Sequence, residues 1–302
     1  MPAYRSSALF MALTWLVTAA QPAAGITEPP EMPTNTPLTK PAEKVVPLNH
    51  LPALRGDYFK LHSETVGRAF HIYIRLPEGY DSNADTQYPV VYLLDGDSLF
   101  PILAANHLFL TYDDQLPEAI VVGIAYGGFA PEINKRHLDF TPGAADGVAG
   151  EGAAALFVQF LKHDLLPEVE SRYRADASRR VLFGQSRGGT MVLYSAFTEP
   201  DLFWGRIASN PAFRPGSEFF YTTPASASRN DLHLMVTSGT ADRPQLVADA
   251  RAWFAHWQSL DKLPWQLELK VIEGGTHAAD SPASYRSGLR WLFQLTTEQA
   301  PQ

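Results

Sequence analysis

The segment Gly184-Gln185-Ser186-Arg187-Gly188-Gly189 constrains this chain more than any other. It follows Arg180-Val181-Leu182-Phe183, an apolar run that reads as a buried strand. It precedes Thr190-Met191-Val192-Leu193-Tyr194-Ser195-Ala196-Phe197, which reads as a helix. A G-x-S-x-G at a strand-to-helix corner needs its glycines because the turn leaves no room for a Cβ beside the serine. Such a corner exposes the serine hydroxyl with a helix N-terminus behind it. The pattern predicts a nucleophilic Ser186; the competing reading is a plain glycine-rich turn.

With 302 residues, 45% of them apolar, the chain can bury the core of one large globular unit or two small ones. It has no cysteine, which excludes disulfides, thiolate chemistry and cysteine metal ligands. The formal charge is −8 and no basic block occurs, so nucleic-acid binding has little support. Residues 1–24 read as a signal peptide. Arg5 supplies the basic start, and Ala8 to Ala20 form an apolar stretch that is short for a membrane span. Small residues follow through Ala23, Ala24 and Gly25, and cleavage is expected between Ala20 and Gly25. An uncleaved N-terminal anchor is the alternative. Residues 25–48 carry prolines at 29, 30, 33, 37, 41 and 47 and read as an extended linker. The folded domain is expected over residues 49–297. Export predicts a periplasmic or secreted protein with no membrane span in its mature chain.

From Tyr58 the pattern turns to strands. Tyr58 to His62 is one candidate, and Arg68 to Leu76 a second, with Phe70, Ile72 and Ile74 alternating against polar neighbours. Tyr88 to Leu94 and Ala119 to Ala125 are continuous apolar runs, as in strands covered on both faces. Ala153 to Tyr173 has helical spacing. Strands follow at Val181 to Phe183, Phe203 to Ser209, Leu232 to Thr237 and Gln266 to Ile272. A helix bearing Leu246, Ala250, Trp253 and Trp257 separates the last two, and Ala283 to Leu295 forms a closing amphipathic helix. Early strands followed by repeated strand–helix units predict an α/β fold with a mostly parallel central sheet and helices on both faces. Together with the serine corner this resembles the α/β-hydrolase fold, whose ligands sit at the carboxyl ends of the strands.

A serine hydroxyl needs a base within hydrogen-bond reach. In the α/β-hydrolase order the acid follows the serine and the histidine comes last. His277, in Glu273-Gly274-Gly275-Thr276-His277, follows the final predicted strand; His233 and His256 fall within a strand and a helix. Asp242 lies just after the preceding strand. It is the expected acid, with a helix cap as its competing role. An oxyanion hole requires two backbone N–H groups. They are expected from Arg187, next to the nucleophile, and from Asp97 in Leu94-Asp95-Gly96-Asp97-Ser98. A metal site at Asp95 and Asp97 has no accompanying ligand cluster.

Tyr92-Leu93-Leu94-Asp95-Gly96, Val121-Val122-Gly123-Ile124, Arg136-His137-Leu138-Asp139-Phe140-Thr141-Pro142, Gly184 to Gly189 and Gly275-Thr276-His277 resemble the putative-esterase family of α/β-hydrolases. The similarity runs from about Tyr58 to Phe293. The Arg136 to Pro142 segment and the final helix look most like the siderophore (enterobactin-type) esterase branch. The resemblance implies a secreted serine carboxylic ester hydrolase using Ser186, His277 and Asp242, with no cofactor and a small-molecule ester as partner, trilactone siderophore esters being one candidate. It also supports the Asp97 amide as oxyanion donor. Two departures bear on substrate: Arg187, where relatives more often carry a small or apolar residue, and Pro211-Ala212-Phe213-Arg214, where siderophore esterases commonly have a tryptophan-containing segment. Arg187 and Arg214 are therefore the expected contacts to an anionic substrate, with solvated surface arginines as the competing reading. A feruloyl-type or short-acyl carboxylesterase, an acyltransferase, and a binding protein on an inactive hydrolase scaffold stay open. So does a Ser-His dyad without Asp242.

Overall fold

The computed structural model describes residues 51–143 and 152–298. The expected signal peptide and linker lie outside the described residues. Eight strands form one sheet: β1 (Gly56–Ser63), β2 (Arg68–Arg75), β3 (Tyr88–Leu93), β4 (Ile120–Ala125), β5 (Ala175–Gln185), β6 (Gly205–Ser209), β7 (His233–Gly239) and β8 (Gln266–Ile272). Their order is β1-β2-β4-β3-β5-β6-β7-β8. β1 pairs antiparallel with β2, and β2 with β4, while every later pairing is parallel. This is the mostly parallel α/β sheet that the strand pattern predicts, in the α/β-hydrolase-like arrangement that the resemblance implies.

The apolar runs become strands because both faces are covered. Every residue of β3, β4, β6 and β7 is buried. Successive side chains point to opposite faces, so Val90, Tyr92 and Leu94 enter one core while Val91 and Leu93 enter the other. The first core is closed by helices α3 (Ala154–Phe160), α4 (Leu166–Arg172), α5 (Arg187–Thr198) and α6 (Pro244–Gln258). The second is closed by α1 (Gly96–Asp113) and α7 (Ser281–Glu298), through Leu99, Phe100 and Leu103 on one and Tyr285, Leu289 and Leu292 on the other.

Several boundaries differ from the sequence reading. The expected helix from Ala153 to Tyr173 forms over Ala154 to Arg172, widened by a π-helical turn at Leu161–Leu165. β5 starts at Ala175, upstream of the apolar triplet, because Tyr88 of β3 pairs with Ala175 ahead of a register shift. The largest omission is α1. Pro101 sits inside it, and proline in a helix interior argues against helix when only the sequence is read. Tyr112 and Asp113, at the C-terminus of α1, are carried away from the serine corner. An 18-residue helix is about 27 Å long, and the Tyr112 hydroxyl donates to Glu78 at the end remote from Asp97.

The sheet order places the site. β3 continues to β4 on one side, whereas β5 lies on its other side. The connections diverge there, leaving a crevice beyond the carboxyl ends of the strands. The loops after β3, β4, β5, β7 and β8 all meet in it.

Candidate active site

At the end of β5 the chain turns directly into α5 through Ser186, whose φ is 58° and ψ −115°. A non-glycine residue tolerates that conformation only where its surroundings enforce it. The enforcement is visible in the flanking glycines. A Cβ on Gly184 would lie 2.3 Å from the Gly188 carbonyl oxygen. Two backbone bonds fix the corner further: Ser186 N–H donates to Ser209 O (2.9 Å), and Ala212 N–H donates to Ser186 O (3.1 Å).

His277 Nε2 lies 2.9 Å from Ser186 Oγ, and its Nδ1 lies 2.9 Å from Asp242 Oδ2. With the proton on Nδ1 facing the carboxylate, Nε2 accepts the serine hydroxyl. The Asp242 side chain is 1% exposed and that of His277 21%. The acid is thus shielded while the imidazole edge reaches the cleft. Asp242 Oδ1 also accepts the Arg243 amide at 2.6 Å. That amide belongs to Arg243, the residue just before α6, so Asp242 braces the loop ahead of the helix and does not cap it. Gln185 Nε2 donates to the His277 carbonyl at 2.6 Å and fixes that loop against β5.

Asp97 stands in the first turn of α1, and Arg187 is the first residue of α5. Amides at these positions have no acceptor inside their own helix. The Asp97 carboxylate accepts Tyr126 N–H at 2.7 Å and Gly127 N–H at 2.8 Å, which ties the loop after β4 to α1. Gly96 makes the approach possible: a Cβ there would lie 2.8 Å from backbone atoms of Gly123 and Ile124. Asp95 is engaged differently. Arg136 grips it through Nε to Oδ1 (2.6 Å) and Nη2 to Oδ2 (2.9 Å). Burial raises the Asp95 carboxyl above its ordinary range, and the Arg136 bond opposes that rise. Both carboxylates are thus bound to protein donors, and no group of potential metal ligands occurs among the described residues.

The motif from Arg136 to Pro142, which opens with the short helix α2 (Arg136–Asp139), supports this wall. Arg136 holds Asp95, Asp139 accepts the Tyr126 hydroxyl (2.8 Å) and an Arg68 ion pair, and Thr141 Oγ1 donates to His137 O (2.8 Å). Thr141 also receives the Arg187 guanidinium at 3.1 Å.

The cleft occupies ≈390 Å³, and its lining includes Asp97, Phe129, Arg136, Ser186, Arg243 and His277. The structure therefore brings Ser186, His277, Asp242 and Asp97 together. It does not bring the two expected substrate arginines into the lining. The Arg187 side chain is turned onto Thr141, and Arg214 is ion-paired with Asp249 at 3.3 Å, 65% exposed. Arg243 and Phe129 line the cleft instead, and Phe129 is 72% exposed. Among the described residues Arg243 makes no salt bridge. Sequence reasoning passed over both. Arg243 adjoins Asp242 and could have been found by extending that loop one residue; nothing in the local pattern marks Phe129.

The putative-esterase family profile matches residues 63–301. The ferri-bacillibactin esterase BesA of Bacillus subtilis is 27% identical over 258 residues, covering 77% of this chain and 88% of that protein. The siderophore triacetylfusarinine C esterase of Aspergillus fumigatus is 31% identical over 135 residues, covering 41% and 44%. Among solved structures, an IroE-like serine hydrolase from Shewanella oneidensis superposes with a TM-score of 0.67 at 25% identity, covering 79% of this chain and 80% of that one. By profile, fold and relatives, the chain belongs to the putative-esterase family of α/β-hydrolases and is an ester hydrolase.

Proposed function

We propose that this protein is an exported serine esterase that cleaves siderophore esters through Ser186, His277 and Asp242. The observation that carries the reading is the continuous relay of two 2.9 Å contacts from Ser186 Oγ through His277 to Asp242 Oδ2. His277 Nε2 takes the hydroxyl proton as Ser186 Oγ attacks the ester carbonyl carbon. Asp242 stabilises the imidazolium and holds its tautomer. The Arg187 and Asp97 amides receive the oxyanion. His277 then returns the proton to the leaving alkoxide, and the C–O bond breaks to give an acyl-enzyme. Water, deprotonated by His277, releases the acid and restores Ser186.

The substrate class rests on two supports. One is the pair of relatives named for ferri-bacillibactin and for a siderophore, triacetylfusarinine C. The other is the cleft, where an exposed arginine and an exposed phenylalanine suit an anionic ligand with planar apolar parts. Export rests on the apolar stretch near the N-terminus.

Ser186→Ala keeps the corner and removes the nucleophile. Turnover of a ferric siderophore ester and of a neutral short-acyl ester should fall by about 10⁴-fold or more. Retention of more than about a tenth of wild-type kcat would reject the assignment. N-terminal sequencing of the protein recovered from cells tests export, which predicts a chain beginning at one of residues 21–25.

A further inference from the structure

Three strand-end loops must hold register for the relay to exist, and one side chain joins them. Asn210, at the end of β6, is 3% exposed and has φ +41°, a region that asparagine tolerates better than most residues. Its Nδ2 donates to Asp280 Oδ1 at 2.7 Å and to the His277 carbonyl at 3.2 Å, with Thr276 O at 3.4 Å. Its Oδ1 accepts Gly239 N–H at 2.8 Å, and the Gly239 carbonyl accepts the Asp242 amide at 3.2 Å. Its own N–H donates to Thr237 O at 3.0 Å, and the preceding Ser209 carbonyl accepts the Ser186 amide. One carboxamide therefore grips the histidine loop with its donor end and the acid loop with its acceptor end, on a backbone bonded to the nucleophile. Its carboxylate partner, Asp280, is 8% exposed, and Asp280 Oδ2 is buried without a partner.

We infer that Asn210, oriented by Asp280, is a positioning residue that sets the distance of His277 from Ser186 and Asp242. The inference rests on the proposed triad. Its chemistry is specific to an amide. A carboxylate can still accept Gly239 N–H, but it has nothing to donate to the His277 carbonyl and faces Asp280 with like charge. An alanine would leave a buried N–H and a buried carboxylate unpaired.

That difference defines the experiment. Asn210→Asp should lower kcat on a neutral short-acyl ester by about 10- to 100-fold, the scale of a sub-ångström to 1 Å misplacement. KM should stay within about twofold. The rate of inactivation by diisopropyl fluorophosphate should fall with kcat, and Tm should fall too. The double variant Asn210→Asp, Asp280→Asn restores the pair with donor and acceptor exchanged, and it keeps an acceptor for Gly239. It still offers no donor to His277. Tm should recover while kcat and the inactivation rate stay low. Recovery of kcat together with Tm would overturn the inference and leave Asn210 a merely structural residue. Asn210→Gly, which fits the backbone without strain, is the second variant: wild-type kcat in it would overturn the inference equally. Ser186→Ala assayed alongside separates the two claims. Activity in that variant removes the triad itself, whereas an inactive Ser186→Ala beside a fully active Asn210→Gly removes only the positioning role.

Discussion

Asp242 and His277 meet at 2.9 Å through Oδ2 and Nδ1, while the other oxygen of Asp242 accepts the Arg243 amide at 2.6 Å. Two jobs thus fall on one buried carboxylate, and they can be separated by substitution. Asparagine can still accept the Arg243 amide but cannot stabilise an imidazolium. Asp242→Asn is expected to lower kcat by about 10³- to 10⁴-fold and to move Tm by only a few degrees. Near-normal kcat would leave Ser186 and His277 as a dyad.

Gly96→Ala tests how the Asp97 amide is placed. The added methyl would meet Gly123 and Ile124 backbone at 2.8 Å, and backbone cannot swing aside. Destabilisation of about 1–3 kcal/mol is expected from overpacking. A fall in kcat greater than the fall in folded fraction is also expected, because the N-terminus of α1 must lift. Thermal melts beside steady-state kinetics check both, and unchanged kcat would argue against Asp97 as oxyanion donor.

Arg243 is the exposed cation in the cleft lining. Arg243→Leu is expected to raise KM for an anionic ferric siderophore ester about three- to tenfold, the modest scale of a solvent-screened contact. KM for a neutral acetyl ester should hardly change. The difference should shrink as ionic strength rises. Equal effects on the two substrates would refute charge recognition. The same comparison with Arg214→Leu is expected to show no difference, since that guanidinium is outside the cleft lining and paired with Asp249.

A buried histidine far from the chemistry gives a pH prediction. His107 is fully buried against the Tyr285 hydroxyl at 2.9 Å. Burial, reinforced by the nearby Arg75 charge, pushes its pKa down to about 3. The unfolded chain takes up that proton near the ordinary imidazole value of about 6.5. Between those values the unfolded state binds more protons, so stability is present above pH 6.5 and is lost progressively as pH falls toward 3. Tm should decline from pH 7 to pH 5, and His107→Gln should flatten the decline. An identical slope in the variant would assign the acid sensitivity elsewhere.

The sequence by itself determined those parts of the molecule that follow from local chemistry. Continuous apolar runs such as Tyr88 to Leu93 and Ile120 to Ala125 are strands because only a sheet covered on both faces buries every residue. The glycines around Ser186 announced a tight corner, where a Cβ on Gly184 would strike the Gly188 backbone. The fold's chain order then pointed to Asp242 and His277 before any distance was known, because strand ends converge on one edge of a parallel sheet. Tertiary structure decided what depends on direction rather than on position. α1 forms despite Pro101 because Leu99, Phe100 and Leu103 are buried against the sheet, an energy absent from the local segment. Whether an arginine reaches substrate is set by its neighbours: Thr141 turns Arg187 aside, Asp249 holds Arg214, and Arg243 faces the cleft. Asn210 joins Gly239, His277 and Asp280, residues 29, 67 and 70 positions away. Hydrogen bonds over such separations leave no periodic trace in a sequence, since only the folding of the sheet creates the proximity that gives them value.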